Sequence, residues 1–325
     1  MDNVNDFFAT LSSCLWGWPM IILLLGTHIF LTIRLRFPQR KIITAIRLSV
    51  QRDKSQKGDV SQFGALATAL AATIGTGNII GVATAVALGG PGAVFWCWLT
   101  GVFGISTKYS EALLAIKYRV KSKRGTMQGG PMYTLERGLG WRKMGILFAA
   151  FTAIAAFGIG CTVQANTIST IMHASYGIST EMSGGVLMLL AAAVIIGGVR
   201  SISKVCSMLV PFMALLYVVG CIYILCVNAS YVAPALKLIV CSAFSPDAAG
   251  GGFAGASVIM AARYGIARGL FSNESGLGSA PIVAAAARTK NPVRQALVSS
   301  TGTFWDTVVI CAYRTCNRKQ HHSLS

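Results

Sequence analysis

The sequence predicts an all-α polytopic membrane protein, and three observations carry that prediction. The composition is 54% hydrophobic against 12% charged, far from the balance of soluble domains. Phe63 to Leu88, FGALATALAATIGTGNIIGVATAVAL, contains no charged residue. At about 1.5 Å per residue such a helix reaches about 40 Å, more than the ~30 Å hydrocarbon core of a bilayer. Finally, Lys and Arg gather in alternate loops between apolar runs, the pattern that orients membrane proteins.

In chain order, the first apolar run, Trp16 to Ile33, has Asp2 and Asp6 before it and Arg34, Arg36, Arg40 and Lys41 after it. That asymmetry fits a retained first span with its N-terminus outside rather than a cleaved signal peptide. Residues 38–50, PQRKIITAIRLSV, read as a short amphipathic helix on the cytoplasmic membrane surface. The span 63–88 follows, then the tight turn Gly89-Gly90-Pro91-Gly92, then a helix from Ala93 through Thr107 toward Tyr118. Residues 117–143 form a basic, turn-rich loop containing Gln128-Gly129-Gly130-Pro131-Met132-Tyr133. Further apolar segments lie at about 145–172, 184–199, 205–227, 253–287 and 298–313.

Loop charge tests this order. With the N-terminus outside, the inner loops hold eight basic residues (34–61), nine (108–143), two (Arg200, Lys204) and three (Arg288, Lys290, Arg294), and the outer loops before residue 300 hold only Lys237. The net charge of +18 is therefore explained by topology rather than by a nucleic-acid surface. The cysteines, mostly within apolar segments (Cys97, Cys161, Cys221, Cys226), lack CxxC or His/Cys ligand spacing and read as small buried hydrophobes. No metal site is expected beyond a transported cation, and His321-His322 reads as an exposed polar tail.

The middle of the 63–88 span is its informative part. Gly75-Thr76-Gly77-Asn78 puts glycines and small polar side chains where a bilayer offers no partner to a freed backbone group. Such a break is tolerated where it lines a cavity or binds something: half-helices present N–H groups to an anion and carbonyls to a cation. The alternative is a straight helix using Gly77 and Gly81 as a small-residue packing face. A second interrupted segment, 253–287, carries Gly265, Gly269, Gly276 and Gly278 with Arg263, Arg268 and Glu274. Two Gly-interrupted segments at corresponding positions point to an inverted-repeat transporter with its site between them. Residues 1–61 then form an N-terminal span plus amphipathic helix, 62–228 a first five-helix repeat and 229–313 an incomplete second repeat. The run TGTFWDTVVICAY gives way to the polar, basic RTCNRKQHHSLS, so residues 314–325 read as an aberrant tail, with a reading frame that departs from its ancestral one near Cys311 or Ala312. A short natural span with a snorkelling tail is the alternative.

On ALAATIGTGNIIGVATAVALGGPGAVFW (69–96), QGGPMYTLERGLG (128–140), FGIGCTVQANTIS (157–169), AFSPDAAGGGFAGAS (243–257) and YGIARGLFSNESGLGSAPIVAAAARTKNPVRQAL (264–297), the chain resembles the alanine/glycine:cation symporter family, the sodium:alanine symporters. The resemblance implies a five-plus-five inverted repeat, with a small zwitterionic amino acid carried on a Na+ gradient through a prokaryotic cytoplasmic membrane and no cofactor. It also implies that this chain is C-terminally truncated.

By motif position, the resemblance implies that Gly75, Thr76, Gly77 and Asn78 contact the substrate, with Thr73 and Thr76 near the coupling ion. Phe253, Ser257 and Met260 are pocket candidates, and Phe271, Ser272, Asn273, Glu274 and Gly276 form a hallmark motif in which Asn273 and Glu274 are ion-coupling or gating candidates. Glu274 has a second reading, an ion pair with Arg268 or Arg263 at a helix end. Gln164, Asn166 and Thr167 either bind substrate or bridge helices. Asp306, an acid in an apolar run, is a coupling candidate by default, or is simply unpaired in an incomplete bundle. Two rivals remain beside the symporter. A membrane enzyme is disfavoured by four histidines, the absence of GxSxG and HExxH, and no paired intramembrane carboxylates. An inactive fragment of a symporter is the other.

Overall fold

The computed structural model describes residues 6–7, 10–11, 14–15, 17–51, 58–75, 77–123, 125–158, 161–244 and 258–311. Among them the architecture is helical, apart from one two-stranded hairpin and an isolated bridge between Val60 and Ala287.

Helix α1 (Trp18–Arg34) ends where Arg36 and Phe37 take left-handed backbone angles, and the chain bends by 66° into a 3-10 turn (Pro38–Lys41) and α2 (Ile42–Val50). This is the amphipathic segment expected from the sequence, and Arg40 stacks over Phe37 at its start. Helix α3 (Gln62–Thr73) is capped by Ser61, whose hydroxyl accepts from the Gly64 N–H at 2.9 Å. After the first break come a π-helical turn (Gly77–Gly81) and α4 (Val82–Gly89), then α5 (Ala93–Lys117). The expected basic loop is a hairpin of β1 (Val120–Lys121) and β2 (Met127–Gln128) followed by α6 (Pro131–Gly138).

The next helices are α7 (Arg142–Gly158), α8 (Cys161–Tyr176), α9 (Thr180–Ile195) and α10 (Gly198–Val227). Residues 142–176 and 198–227 are long and apolar enough to cross a membrane, with the bent 18–50 pair as a possible third. Their outward side chains, such as Ile146, Phe151, Phe157, Leu189, Phe212 and Leu215, are exposed, as suits lipid contact rather than water. Cys161 and Cys226 sit on these outer faces, so only Cys97 and Cys221 of the four singled out are buried. Between the apolar segments 205–227 and 253–287 the sequence places an outer loop holding Lys237. Instead α11 (Ala229–Phe244) forms there, with Pro234 accommodated inside it.

Helix α12 (Val258–Asn273) corrects a second expectation. Gly265 and Gly269 do not interrupt it: the helix runs straight through both. They are glycine because α5 comes too close for a side chain. A Cβ on Gly265 would stand 2.1 Å from the Ala93 carbonyl, and one on Gly269 1.9 Å from Thr100 Oγ1. The interruption lies later, where Glu274, Gly276 and Gly278 all have positive φ. Then follow α13 (Ala280–Ala285), α14 (Pro292–Thr303) and a π-helical stretch (Phe304–Ile310).

Helix α5 is the hub. It packs against α12 and α14, and also meets α1, α11, α13 and the 304–310 stretch. Two apolar cores flank it, one joining Leu66, Leu70, Val210 and Val298, the other Ile21, Ile266 and Leu270. One end of the bundle is pinned by Arg119, whose guanidinium donates to the carbonyls of Ala285, Ala287 and Thr289 at 3.0, 2.8 and 2.7 Å.

Candidate functional site

Helix α3 ends at Thr73 because Ile74 is extended, with φ −76 and ψ 101. The chain is helical again from Gly77, as a π turn. Among the described residues the regular helix stops at Thr73 and helical geometry resumes at Gly77, which excludes the straight-helix alternative. Asn78 holds the break's shape: its N–H donates to the Gly75 carbonyl at 3.2 Å, and its Oδ1 accepts from the Gly75 N–H at 3.3 Å. A Cβ on Gly75 would stand 2.8 Å from Gln164 Nε2, so α8 lays its amide directly on the broken segment. Around Gly77, by contrast, no described atom lies within 4 Å of where a Cβ would be.

The Asn78 side chain reaches across to the last helix. Its Nδ2 donates to Asp306 Oδ1 at 2.8 Å and to the Asp306 carbonyl at 3.2 Å, with Cys311 Sγ at 3.5 Å. Ser272 and Thr307 hydroxyls donate to Asp306 Oδ2 at 3.0 and 2.9 Å. Asn78 and Asp306 are 1% and 0% exposed. The reading of Asp306 as an unpaired acid is therefore wrong: the carboxylate has a donor on each oxygen. π turns are rare and concentrate at functional sites; here the two π-helical stretches meet, and this pair of side chains joins them. Chemically, the carboxylate and two hydroxyls are hard oxygen donors of the kind that alkali and alkaline-earth cations take, while Asn78 turns its amide nitrogen to them and its oxygen to Gly75. Among the described residues no group of three or more His, Cys, Asp or Glu could hold a transition metal.

Other expected residues fall in different places. Thr73 is buried at the end of α3, its hydroxyl bonded back to Ala69 and Leu70 carbonyls. Gln164 is half-buried, whereas Asn166 and Met260 are exposed. Thr76, Phe253 and Ser257 lie outside the described residues.

The expected ion pair of Glu274 with Arg268 or Arg263 is not formed. Glu274 accepts from the Ser279 hydroxyl in the turn after α12. Arg268 points the other way, donating to the Gly81 carbonyl at 3.1 Å and to Thr84 Oγ1 at 3.0 Å. It thereby ties α12 to the point where the π turn enters α4. Asn273 closes α12 with its Oδ1 accepting from Ser275 N–H at 2.9 Å, and its carbonyl accepts from Lys108 Nζ at 2.9 Å.

Lys108 is the residue that sequence reasoning missed. It was counted with the cytoplasmic charges at the end of α5, yet it is 3% exposed. Its signal was available: three residues before Glu111, in a helix whose Gly101, Gly104 and Ala112 mark a face too crowded to be solvent.

Comparison with known proteins adds the following. The model of the sodium:alanine symporter family matches residues 1–316. The sodium/alanine symporter AgcS of Methanococcus maripaludis is 52% identical over 318 residues, covering 96% of this chain and 69% of that protein. An uncharacterized transporter of Haemophilus influenzae is 52% identical over 311 residues, 95% of this chain and 68% of its own. A Bacillus subtilis protein named "Probable sodium/glutamine symporter GlnT" is 39% identical over 299 residues, 91% of this chain and 62% of its own.

Proposed function

The chain belongs to the sodium:alanine symporter family, a family of transporters rather than enzymes, and from that membership we propose that it carries alanine or glycine across a prokaryotic cytoplasmic membrane together with Na+. The observation that carries this reading is the contact of the two π-helical stretches through Asn78 and Asp306, supported by Ser272 and Thr307. A buried carboxylate with serine and threonine hydroxyls supplies charge and oxygen ligands for one Na+. Binding of the ion would exchange the Asn78 and Ser272 hydrogen bonds for coordination, which couples ion occupancy to the geometry of the break.

The amino acid fits beside that ion, in the open space around Gly77 and under the Gln164 amide. Its carboxylate would take N–H groups of the Gly75–Asn78 segment, in competition with the Asn78 oxygen that now occupies Gly75. Thr76, Phe253 and Ser257 are assigned to the same pocket from the family motifs, and Asn273 and Glu274 to the gate below it. Small residues around the break favour alanine or glycine. GlnT is named for glutamine, so glutamine belongs among the substrates tried.

In this reading the N-terminus is outside, residues 62–228 form one five-helix repeat and 229–313 belong to a second of inverted orientation. Alternating access then rocks elements around the Asn78–Asp306 contact. The test is flux in proteoliposomes of the purified chain: labelled alanine should accumulate, chemically unchanged, under an inward Na+ gradient and not under an equal K+ gradient. Accumulation that ignores Na+ would remove the coupling assignment.

A further inference from the structure

Lys108 is buried beside the Asp306 cluster without touching its carboxylate. Helix α5 fixes it there: the preceding Thr107 hydroxyl bonds the His28 ring at 2.8 Å, and one turn earlier Gly104 lets Ser275 and Thr303 close in. Lys108 Nζ donates to the Asn273 carbonyl at 2.9 Å, and the neighbouring Ser272 donates its hydroxyl to Asp306 Oδ2 at 3.0 Å. Among the described residues no carboxylate oxygen lies within 4.0 Å of Nζ. The ammonium therefore acts on acids through space and leaves the Asp306 oxygens to other partners.

Two buried carboxylates feel it. One is Asp306; the other is Glu111, three residues along α5, whose Oε1 accepts from the Gly276 N–H at 3.2 Å. Glu274 lies further out, half-buried and bonded to Ser279. In a place of low effective dielectric an uncompensated charge is costly, so the local charge balance decides what can enter. With both carboxylates ionised, Asp306, Glu111 and Lys108 together carry one negative unit. A monovalent cation cancels it, whereas a divalent cation leaves one positive unit buried. The ligands make no such distinction, because a carboxylate and hydroxyls suit Ca2+ as well as Na+, and Ca2+ sites tighten as their negative charge grows.

We propose that Lys108 is the residue that makes the Asp306 site select a monovalent cation over a divalent one. The proposal rests on the reading of Asp306 as the cation site. Lys108 is a specificity residue that never touches the ion: its fixed charge weakens the binding of every cation, and does so twice as strongly in energy for a divalent one. Removing that charge should tighten Na+ binding by about tenfold and Ca2+ binding by about the square of that factor, a hundredfold. A lysine that only held α5 to α12 would change both ions by one common factor.

The experiment reads binding rather than flux. The unfolding temperature of the purified chain is titrated with NaCl or with CaCl2, choline chloride holding the ionic strength, at an alkaline pH that keeps both carboxylates ionised. The wild-type chain should respond to Na+ at concentrations where Ca2+ has no effect, and Asp306→Asn should abolish that response. Lys108→Gln should bind both ions more tightly, Ca2+ by the larger factor, while Lys108→Arg keeps the charge and the wild-type preference. Lys108→Met carries the same comparison where Lys108→Gln does not fold, and the wild-type preference decides by itself if neither folds. A wild-type chain that binds Ca2+ as tightly as Na+ overturns the proposal, and so do equal factors for the two ions in the neutral variant. A chain indifferent to Na+, or a response that survives Asp306→Asn, overturns the Asp306 site along with it. A wild-type response to Na+ at Asp306 that Lys108→Gln leaves unchanged for both ions overturns this proposal alone.

Discussion

Asn78 and Asp306, 228 residues apart in the chain, meet through a 2.8 Å hydrogen bond from the amide to the carboxylate with almost no solvent exposure. Each lies in a π-helical stretch. A π turn opens the backbone ladder, and a short side chain from one opened ladder closes on the other.

If this contact is the ion site, Asn78→Ala should abolish Na+-dependent alanine uptake at normal membrane expression. Asp306→Asn should do the same, since the amide keeps the shape and loses the charge. Losing one hydrogen bond to a buried carboxylate also costs roughly 1.5–3 kcal/mol, so the Asn78 variant should unfold at lower temperature. Uptake at wild-type rates in either variant removes the first break from the site.

Gln164 is assigned to the broken segment by its closeness to Gly75. Gly75→Ala should therefore impair stability through the crowded amide, and Gln164→Ala should relieve part of it. A double-mutant cycle on thermal unfolding should give a coupling of about 0.5–3 kcal/mol. Additive effects would separate the two residues in space.

The helix crossing at Gly269 makes a packing prediction independent of transport. Gly269→Ala pushes a methyl into Thr100 and should destabilise the fold by about 1–3 kcal/mol, read from denaturation of the purified protein. A wild-type unfolding midpoint would mean that α5 and α12 stand further apart.

Arg268 should act on the break and not on Glu274. Arg268→Lys, which offers no planar fork to serve both Gly81 and Thr84, should lower uptake several-fold, while Glu274→Gln leaves the Arg268 contacts in place. The comparison is made on maximal rate and half-saturation for alanine. Equal losses in the two variants, non-additive when combined, would restore the pairing that the sequence suggested.

Membrane orientation is checked by labelling. In a background without Cys14, Cys161, Cys226, Cys241 and Cys316, a Lys123→Cys variant should react with an impermeant maleimide only after the membrane is opened. Reaction in intact cells would invert the topology.

Much of this was readable in the residues themselves, for identifiable reasons. The break at 75–78 was legible because glycines and polar side chains in an apolar run have few other uses. Asp306 stood out because an acid in hydrocarbon needs a purpose, although the length of the apolar run around it obscured its partners. The glycines of α12 misled: Gly265 and Gly269 look like breaks in one dimension, and only the approach of α5 reveals them as contact points. Likewise Arg268, on the same segment as Glu274, suggested an ion pair, because its contact with the Gly81 carbonyl leaves no mark in sequence. Lys108 was hidden by counting charge per loop, a sum that is blind to which way one side chain on α5 turns.

Helix α5, held on nearly every side, has a mechanical meaning. A rod gripped by α1, α11, α12, α13, α14 and the 304–310 stretch cannot slide without shearing all of those seams together. Under the alternating access proposed above, α5 is the axle about which the other helices turn.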